Sequence, residues 1–285
     1  MNRQVPRRGS IPAGMRGRRP GADRSLGGDQ VEGRQAVREL LAAGRRPVRE
    51  VWLAGDRDGR DDAPILRDIR ELAESSRVLV REVGRGKFDA QARCEAPQGV
   101  LALAAPLPEA DLDDLMTGTG TGPGASKGPA RRPGPPFLVA LDGVTDPGNL
   151  GAVLRSAECA GVTGVVLPRH RAVHVTPAAT KAAAGAIEHL PIALAGGLPS
   201  AIARMSDAGV HVVGLDGAAP TSLYDLAGGD GPVCLVLGAE GRGLSRLVRE
   251  RCDQVVAIPM RGRLGSLNVS AAAALACFEI ARRRV

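Results

Sequence analysis

The stretch AIPMRGRLGSLNVSAAA, residues 257–273, decides the reading of the fold. An apolar run ends in Ile258-Pro259-Met260, a basic glycine loop follows, and an alanine-rich helix begins near Val269. Carrying Leu275, Phe278 and Ile280, it reads as a buried helix. Arg282, Arg283 and Arg284 close it, placing cations at the carbonyl end of the helix dipole. Asn268 or Ser270 reads as its N-cap. A strand that delivers a polar loop to a helix is the repeating unit of an α/β sheet, and in open sheets of this kind ligands collect beyond the carboxyl ends of the strands. Ser266, Leu267 and Asn268 therefore stand where a ligand would sit, although capping alone also accounts for their polarity.

The same unit recurs upstream. Apolar runs at 137–142, 163–167, 210–215, 233–238 and 254–258 alternate with helical patterns near 150–160, 176–187, 199–208 and 243–250. This predicts an α/β domain over 137–285 with a mainly parallel sheet. Two more strand ends are polar. LDGVTDPGNLGAVLRSAECAG, residues 141–161, has turn chemistry at Asp146-Pro147-Gly148 and Asn149 as a helix cap. Leu150, Val153, Leu154 and Ala157 form the apolar face of the helix, and Arg155 lies about 140° round from Leu150, toward solvent or a ligand. CLVLGAEGRGLSRLVRERC, residues 234–252, runs a buried strand into Gly238-Ala239-Glu240-Gly241-Arg242-Gly243, where glycines let backbone approach a ligand. The spacing is not G-x-G-x-x-G, which counts against a nicotinamide-dependent dehydrogenase. Glu240 beside Arg242 also reads as an ion pair on a turn.

The front half is different. Residues 30–106 read as a small αβ domain: a helix through Val37, Leu40 and Leu41, strands at 48–53, 77–83 and 99–104, and a helix over 65–73. Residues 107–136, which include TGTGTGPGASKGPARRPGPP, read as a flexible linker that lets the two domains reorient. Residues 1–29 carry seven arginines against two aspartates and read as a disordered basic tail. It is either an arm for a polyanion such as RNA or a solubilising tail. The formal net charge of the chain is +7, and aromatics make up 2% of it, too few for a surface that stacks successive bases on rings. No apolar run has transmembrane length, and no hydrophobic region follows the basic N-terminus, so a cytoplasmic protein with no membrane partner is expected. Five widely spaced cysteines fit neither a disulfide framework nor a zinc site. His170 and His174 are four apart, but the following Val-Thr-Pro breaks a helix there, so no metal is expected.

Taken together, the three loops resemble the SpoU/TrmH branch of the SPOUT RNA methyltransferases. The resemblance rests on Asp146-Pro147-x-Asn149-x-Gly151-x-x-x-Arg155, on Leu237-Gly238-x-Glu240-Gly241-x-Gly243-Leu244, and on Ile258-Pro259-Met260 with Ser266-Leu267-Asn268-Val269-Ser270. Lys181-Ala-Ala-Ala-Gly185-Ala186 and Glu188-His-Leu-Pro191 are also similar to the family. Glu32-Gly33-Arg34-x-Ala36-Val37 and Pro97-Gln98-Gly99-Val100 resemble the substrate-binding domain, of L30e-like fold, that precedes the catalytic domain in ribosomal-RNA members. The family often has His where Pro97 stands.

The resemblance implies a C-terminal trefoil knot that forms an S-adenosylmethionine site, a homodimer, and methyl transfer to a ribose 2′-hydroxyl of RNA. Within the branch, the guanosine 2′-O-methyltransferases of 23S rRNA are the most similar. It places Gly238, Ile258, Met260, Leu267 and Asn268 around the cofactor, and Asn149, Arg155, Glu240, Ser266 and Asn268 at the transfer site. Arg155 is implied to act at the nucleophile, with Asn149 orienting it or the ribose, and Glu240 supporting it. A guanidinium stays protonated in proteins, so its part reads as holding a phosphate or ribose oxygen and stabilising the emerging alkoxide. A tRNA or other rRNA ribose methyltransferase, and an inactive RNA-binding or ribosome-assembly factor, are the alternatives.

Overall fold

A computed structural model describes residues 25–55, 63–118, 134–169 and 175–284. The first domain runs β1 (Gln30–Glu32), α1 (Arg34–Ala43), β2 (Val48–Gly55), α2 (Pro64–Ser75), β3 (Leu79–Gly84), α3 (Arg85–Gln91) and β4 (Val100–Ala104). Its sheet has the order β1-β4-β2-β3, with β2 and β3 parallel and the other pairs antiparallel. Alternation along the strands sends Val51, Leu53, Val100 and Ala102 toward α1 and α2, where they meet Val37, Leu40 and Ile69. The opposite face carries Leu101 and Ala54 against Phe88 of α3. Periodicity reveals neither β1 nor α3. The strand is three residues long, and the helix has a single large apolar side chain.

The two front motifs prove to be one structure. The fully buried Glu32 carboxylate accepts from the backbone N–H of Arg93 at 2.7 Å and of Cys94 at 3.0 Å. The Arg34 N–H donates to Gln98 Oε1 at 3.0 Å, and its Nε donates to the Gln98 carbonyl at 3.1 Å. Gln98 and Gly99 both have positive φ, 58° and 71°, which reverses the chain into β4.

The second domain adds β5 (Glu109–Ala110), α4 (Leu112–Thr117), β6 (Phe137–Asp142), α5 (Pro147–Cys159), β7 (Gly164–Pro168), α6 (Pro177–Ala182), β8 (Ile192–Ala195), α7 (Leu198–Asp207), β9 (His211–Leu215), β10 (Thr221–Ser222), β11 (Val233–Gly238), α8 (Arg246–Arg251), β12 (Gln254–Ala257) and α9 (Val269–Arg282). The sheet order is β10-β12-β9-β11-β6-β7-β8-β5, and every pair is parallel. Helices α5, α6 and α9 pack on one face and α4, α7 and α8 on the other. Burial on both faces is why β6 and β11 are continuous apolar runs.

Residues 107–118 do not belong to a linker. Leu107 is buried, β5 extends the sheet beside β8, and Asp111 caps α4 by accepting from the Asp113 N–H at 2.7 Å. Leu112 and Leu115 then enter the core, with Leu115 over Gly164. Their acidic neighbours hide a two-residue edge strand and a short helix from composition. The last residues of the basic tail are likewise placed: Leu26 is buried and Gly28 donates to the Val175 carbonyl at 2.8 Å. The rest of the tail (1–24), the glycine-rich stretch 119–133, and the pair His170 and His174 lie outside the described residues.

The domains are docked against each other. Arg46 and Glu188 are both buried, with Nη2–Oε1 at 2.5 Å and Nε–Oε2 at 2.9 Å. Arg46 Nη1 also donates to the carbonyls of Gly28 and Ala105. Arg45 donates to the Glu188 carbonyl at 2.8 Å, and His189 Nε2 meets Glu39 Oε2 at 2.9 Å. This contact also shortens the helix expected over 176–187. After α6 the chain turns through Ala184 (φ 50°) and Gly185 (φ 90°) into a 3-10 turn at Ala186–Glu188. A Cβ on Gly185 would lie 2.3 Å from that of Glu39, so only glycine lets α1 approach.

The closing arginines do more than meet a dipole. Arg284 donates to the carbonyls of Pro135, Pro136, Gly229 and Gly231 and lies 4.9 Å from the Phe137 ring centre. Arg283 binds the carbonyls of Tyr224 and Leu226. Hydrogen bonds from Arg282, then Arg283, hold the Glu279 carboxyl at about 2, below its ordinary 4.5. A depressed carboxylate stabilises the fold above its unfolded pKa, and that contribution fades as pH falls toward the folded one. We expect Glu279→Gln to flatten the melting-temperature profile between about pH 4.5 and 2 and to lower it at neutral pH; parallel profiles for both proteins would contradict this.

Candidate active site

Because the sheet is parallel, the carboxyl ends of β12, β9, β11 and β6 share one edge as neighbours. Four loops therefore converge there. The first begins α5, and its cap is Asp146, whose Oδ1 accepts from the Asn149 N–H at 2.7 Å. Asn149, expected as the cap, is therefore free of that duty, and its amide reaches across the edge. Its Oδ1 accepts from Asn268 Nδ2 at 2.9 Å, and its Nδ2 faces Glu240 Oε2 at 3.5 Å. Asn268 is the N-cap of α9, and its Oδ1 accepts from the Ser270 N–H at 2.9 Å and Oγ at 2.6 Å. Asn268 thus caps and connects at once. The acceptor-only carboxylate at one end and the cap at the other set the orientation of both amides.

The loop after β11 is folded back on itself. Ala239 and Gly243 exchange two backbone hydrogen bonds, at 3.1 and 2.9 Å, with Gly241 and Gly243 at positive φ. A Cβ on Gly238 would sit 2.2 Å from the Gly243 carbonyl carbon. This close approach holds Glu240 at the tip. Two aspartates brace the edge, and both stand at the end of an apolar strand run, which was their signal in the sequence. Asp142 accepts from the Ser245 N–H at 2.6 Å, and Asp216 pairs with Arg249 at 2.9 Å.

The loop over 258–268 is open. Ile258 is half-buried against the core, while Met260 and Leu267 are 38% and 37% exposed. Among the described residues, 258–267 make no hydrogen bond to the rest of the chain. Their backbone donors and acceptors, and the Ser266 hydroxyl, stand free at the sheet edge where β11 also ends. Such a run of open backbone with two apolar side chains fits an adenosine-bearing cofactor, which needs polar partners for its ring edge and ribose and apolar cover for its face.

The Arg155 side chain is exposed and, among the described residues, makes no hydrogen bond or ion pair. Six positions separate it from Asn149 on α5, about 9 Å along the axis and about 120° round it. Asn149 is hydrogen-bonded to both Glu240 and Asn268, and no hydrogen bond joins Arg155 to them. Among the described residues there is no group of three or more His, Cys, Asp or Glu arranged to hold a metal ion, and no helix long and apolar enough to cross a membrane.

The parallel α/β domain thus carries a bonded polar cluster at its strand ends, behind a small αβ domain. Residues 136–278 match the SpoU rRNA Methylase family, and 30–110 match the RNA 2′-O ribose methyltransferase substrate binding domain. The chain belongs to the SpoU rRNA methylase family. It is 36% identical over 262 residues to the 23S rRNA (guanosine-2′-O-)-methyltransferase RlmB of Photobacterium profundum, covering 91% of this chain and 99% of that one. Its fold is similar to that of the SpoU methyltransferase AviRb from Streptomyces viridochromogenes in complex with AdoMet, at TM-score 0.70 and 26% identity over 90% of this chain and 89% of that one. An AdoMet-bound rRNA methyltransferase from Sinorhizobium meliloti gives TM-score 0.68 at 25% identity over 90% and 87%.

Proposed function

We propose that this protein transfers a methyl group from S-adenosylmethionine to the ribose 2′-hydroxyl of a guanosine in 23S rRNA. The observation that carries this is the bonded meeting of Asn149, Glu240 and Asn268 beside an unpaired loop, in a chain similar over nearly its full length to an enzyme of that activity.

The bound cofactor would supply an electrophilic methyl carbon on a sulfonium. The chain's part is to hold the two reactants in line. Gly238, Ile258, Met260, Leu267 and Asn268 would hold the cofactor, with the trefoil threading of the C-terminal segment shaping its site. Asn149, held between Glu240 and Asn268, presents a fixed amide toward the ribose, and Ser266 adds a free hydroxyl. Arg155, exposed and unpaired among the described residues, lies on the same helix as Asn149; it meets the RNA and steadies negative charge that develops on the attacking oxygen. The protein works in the cytoplasm as a homodimer; Leu275 and Phe278, which the sequence reads as buried in α9, are instead 45% and 51% exposed and provide an apolar face for a second copy.

The test is transfer of labelled methyl from S-adenosylmethionine to rRNA and tRNA lacking this modification, followed by mapping of 2′-O-methyl positions. One methylated guanosine in 23S rRNA is the expected result. Label in tRNA alone would overturn the substrate, and no label in either would overturn the reaction. Gly238→Ala drives a Cβ into the Gly243 backbone. We expect it to weaken cofactor binding at least tenfold by calorimetry, about 1.4 kcal/mol. Unchanged affinity would remove this loop from the cofactor site.

A further inference from the structure

The Arg-Gly-Arg of the third loop is unused by the chemistry above. Arg261 and Arg263 are exposed and, among the described residues, make no hydrogen bond or ion pair; the same is true of Arg242 on the turn after β11. Their neighbours on α8 differ: Arg246 pairs with Glu250 and Arg249 with Asp216. The two loops flank one turn. A Cβ on Gly243 would lie 3.4 Å from Asp216 Oδ2, and one on Gly217 would lie 3.9 Å from the Gly265 carbonyl. The carboxylates of this edge are already engaged, Asp142 with Ser245, Asp146 and Glu240 with Asn149, and Asp216 with Arg249. Three guanidinium groups are left as uncompensated positive charge around the polar cluster. Arg261 and Arg263 flank Gly262, and Gly265 follows, so neither side chain is packed in place.

Resting on the methyltransferase reading, we propose that Arg242, Arg261 and Arg263 form a clamp for the RNA backbone, gripping phosphates on either side of the nucleotide presented to Asn149, Glu240 and Asn268. Arginine suits this work because its planar fork pairs with phosphate oxygens through two hydrogen bonds. A cofactor bears a single carboxylate and cannot occupy three arginines carried on two loops. A continuous strand of phosphates can. The clamp holds RNA in register and reads no base.

The experiment compares the full-length protein with Arg261→Gln/Arg263→Gln and with Arg242→Gln. Binding of unmodified 23S rRNA transcript is measured across a salt series without turnover, and S-adenosylmethionine affinity separately by calorimetry. The double variant is expected to bind RNA at least tenfold more weakly and to raise the RNA KM by a similar factor. Its log K against log salt should be shallower by about 0.7–0.9 for each arginine lost. Cofactor affinity should stay within about twofold, well inside the tenfold step of 1.4 kcal/mol. RNA binding with wild-type strength and slope would overturn the clamp, as would a loss confined to cofactor affinity. If the wild-type protein binds the transcript but transfers no methyl group, the proposed reaction fails while the clamp is still decided by the salt slopes.

Discussion

Arg46→Ala is expected to cost the fold about 3–5 kcal/mol, the usual result of removing one partner from a buried ion pair. The Glu188 carboxylate would remain buried without its paired cation, although Arg45, which bonds the Glu188 backbone carbonyl, stays nearby, and the Gly28 and Ala105 carbonyls would each lose a donor. A loss of that size is a large part of the 5–15 kcal/mol that holds a typical domain together. Urea unfolding measures it directly. Because the pair joins the two domains, hydrogen exchange should rise at 177–189 and along α1 before the catalytic sheet opens. An apolar pair, Arg46→Met with Glu188→Leu, should recover most of the stability, since the remaining penalty is that of a buried unpaired charge. A single alanine variant with wild-type stability would show that the interface does not depend on this pair.

Arg155→Ala is expected to lower transfer at least about 100-fold, the scale seen when a group that stabilises developing charge is removed. It should leave S-adenosylmethionine affinity unchanged and shift stability by no more than about 0.5 kcal/mol, because the side chain is exposed and touches nothing that packing needs. Single-turnover kinetics and calorimetry separate these effects. Arg155→Lys should recover little, since a point charge does not replace a planar fork. Near-wild-type turnover by Arg155→Ala would remove the residue from the mechanism.

The sequence alone carried the alternation of strand and helix from Phe137 onward, because a parallel sheet buried on both faces writes itself as continuous apolar runs. It carried the polar strand ends as well, since Asn149, Glu240 and Asn268 each follow such a run. It was silent where elements are short: β1, β5, β8 and β10 have two to four residues, too few to show a period. Tertiary structure alone decided the partners. Asn149 lies 91 positions from Glu240 and 119 from Asn268, and Arg46 lies 142 from Glu188. Which of these meet depends on strand order and on how helices seat against the sheet. Those are set by packing between distant segments, and the periodicity of a single segment holds no record of them.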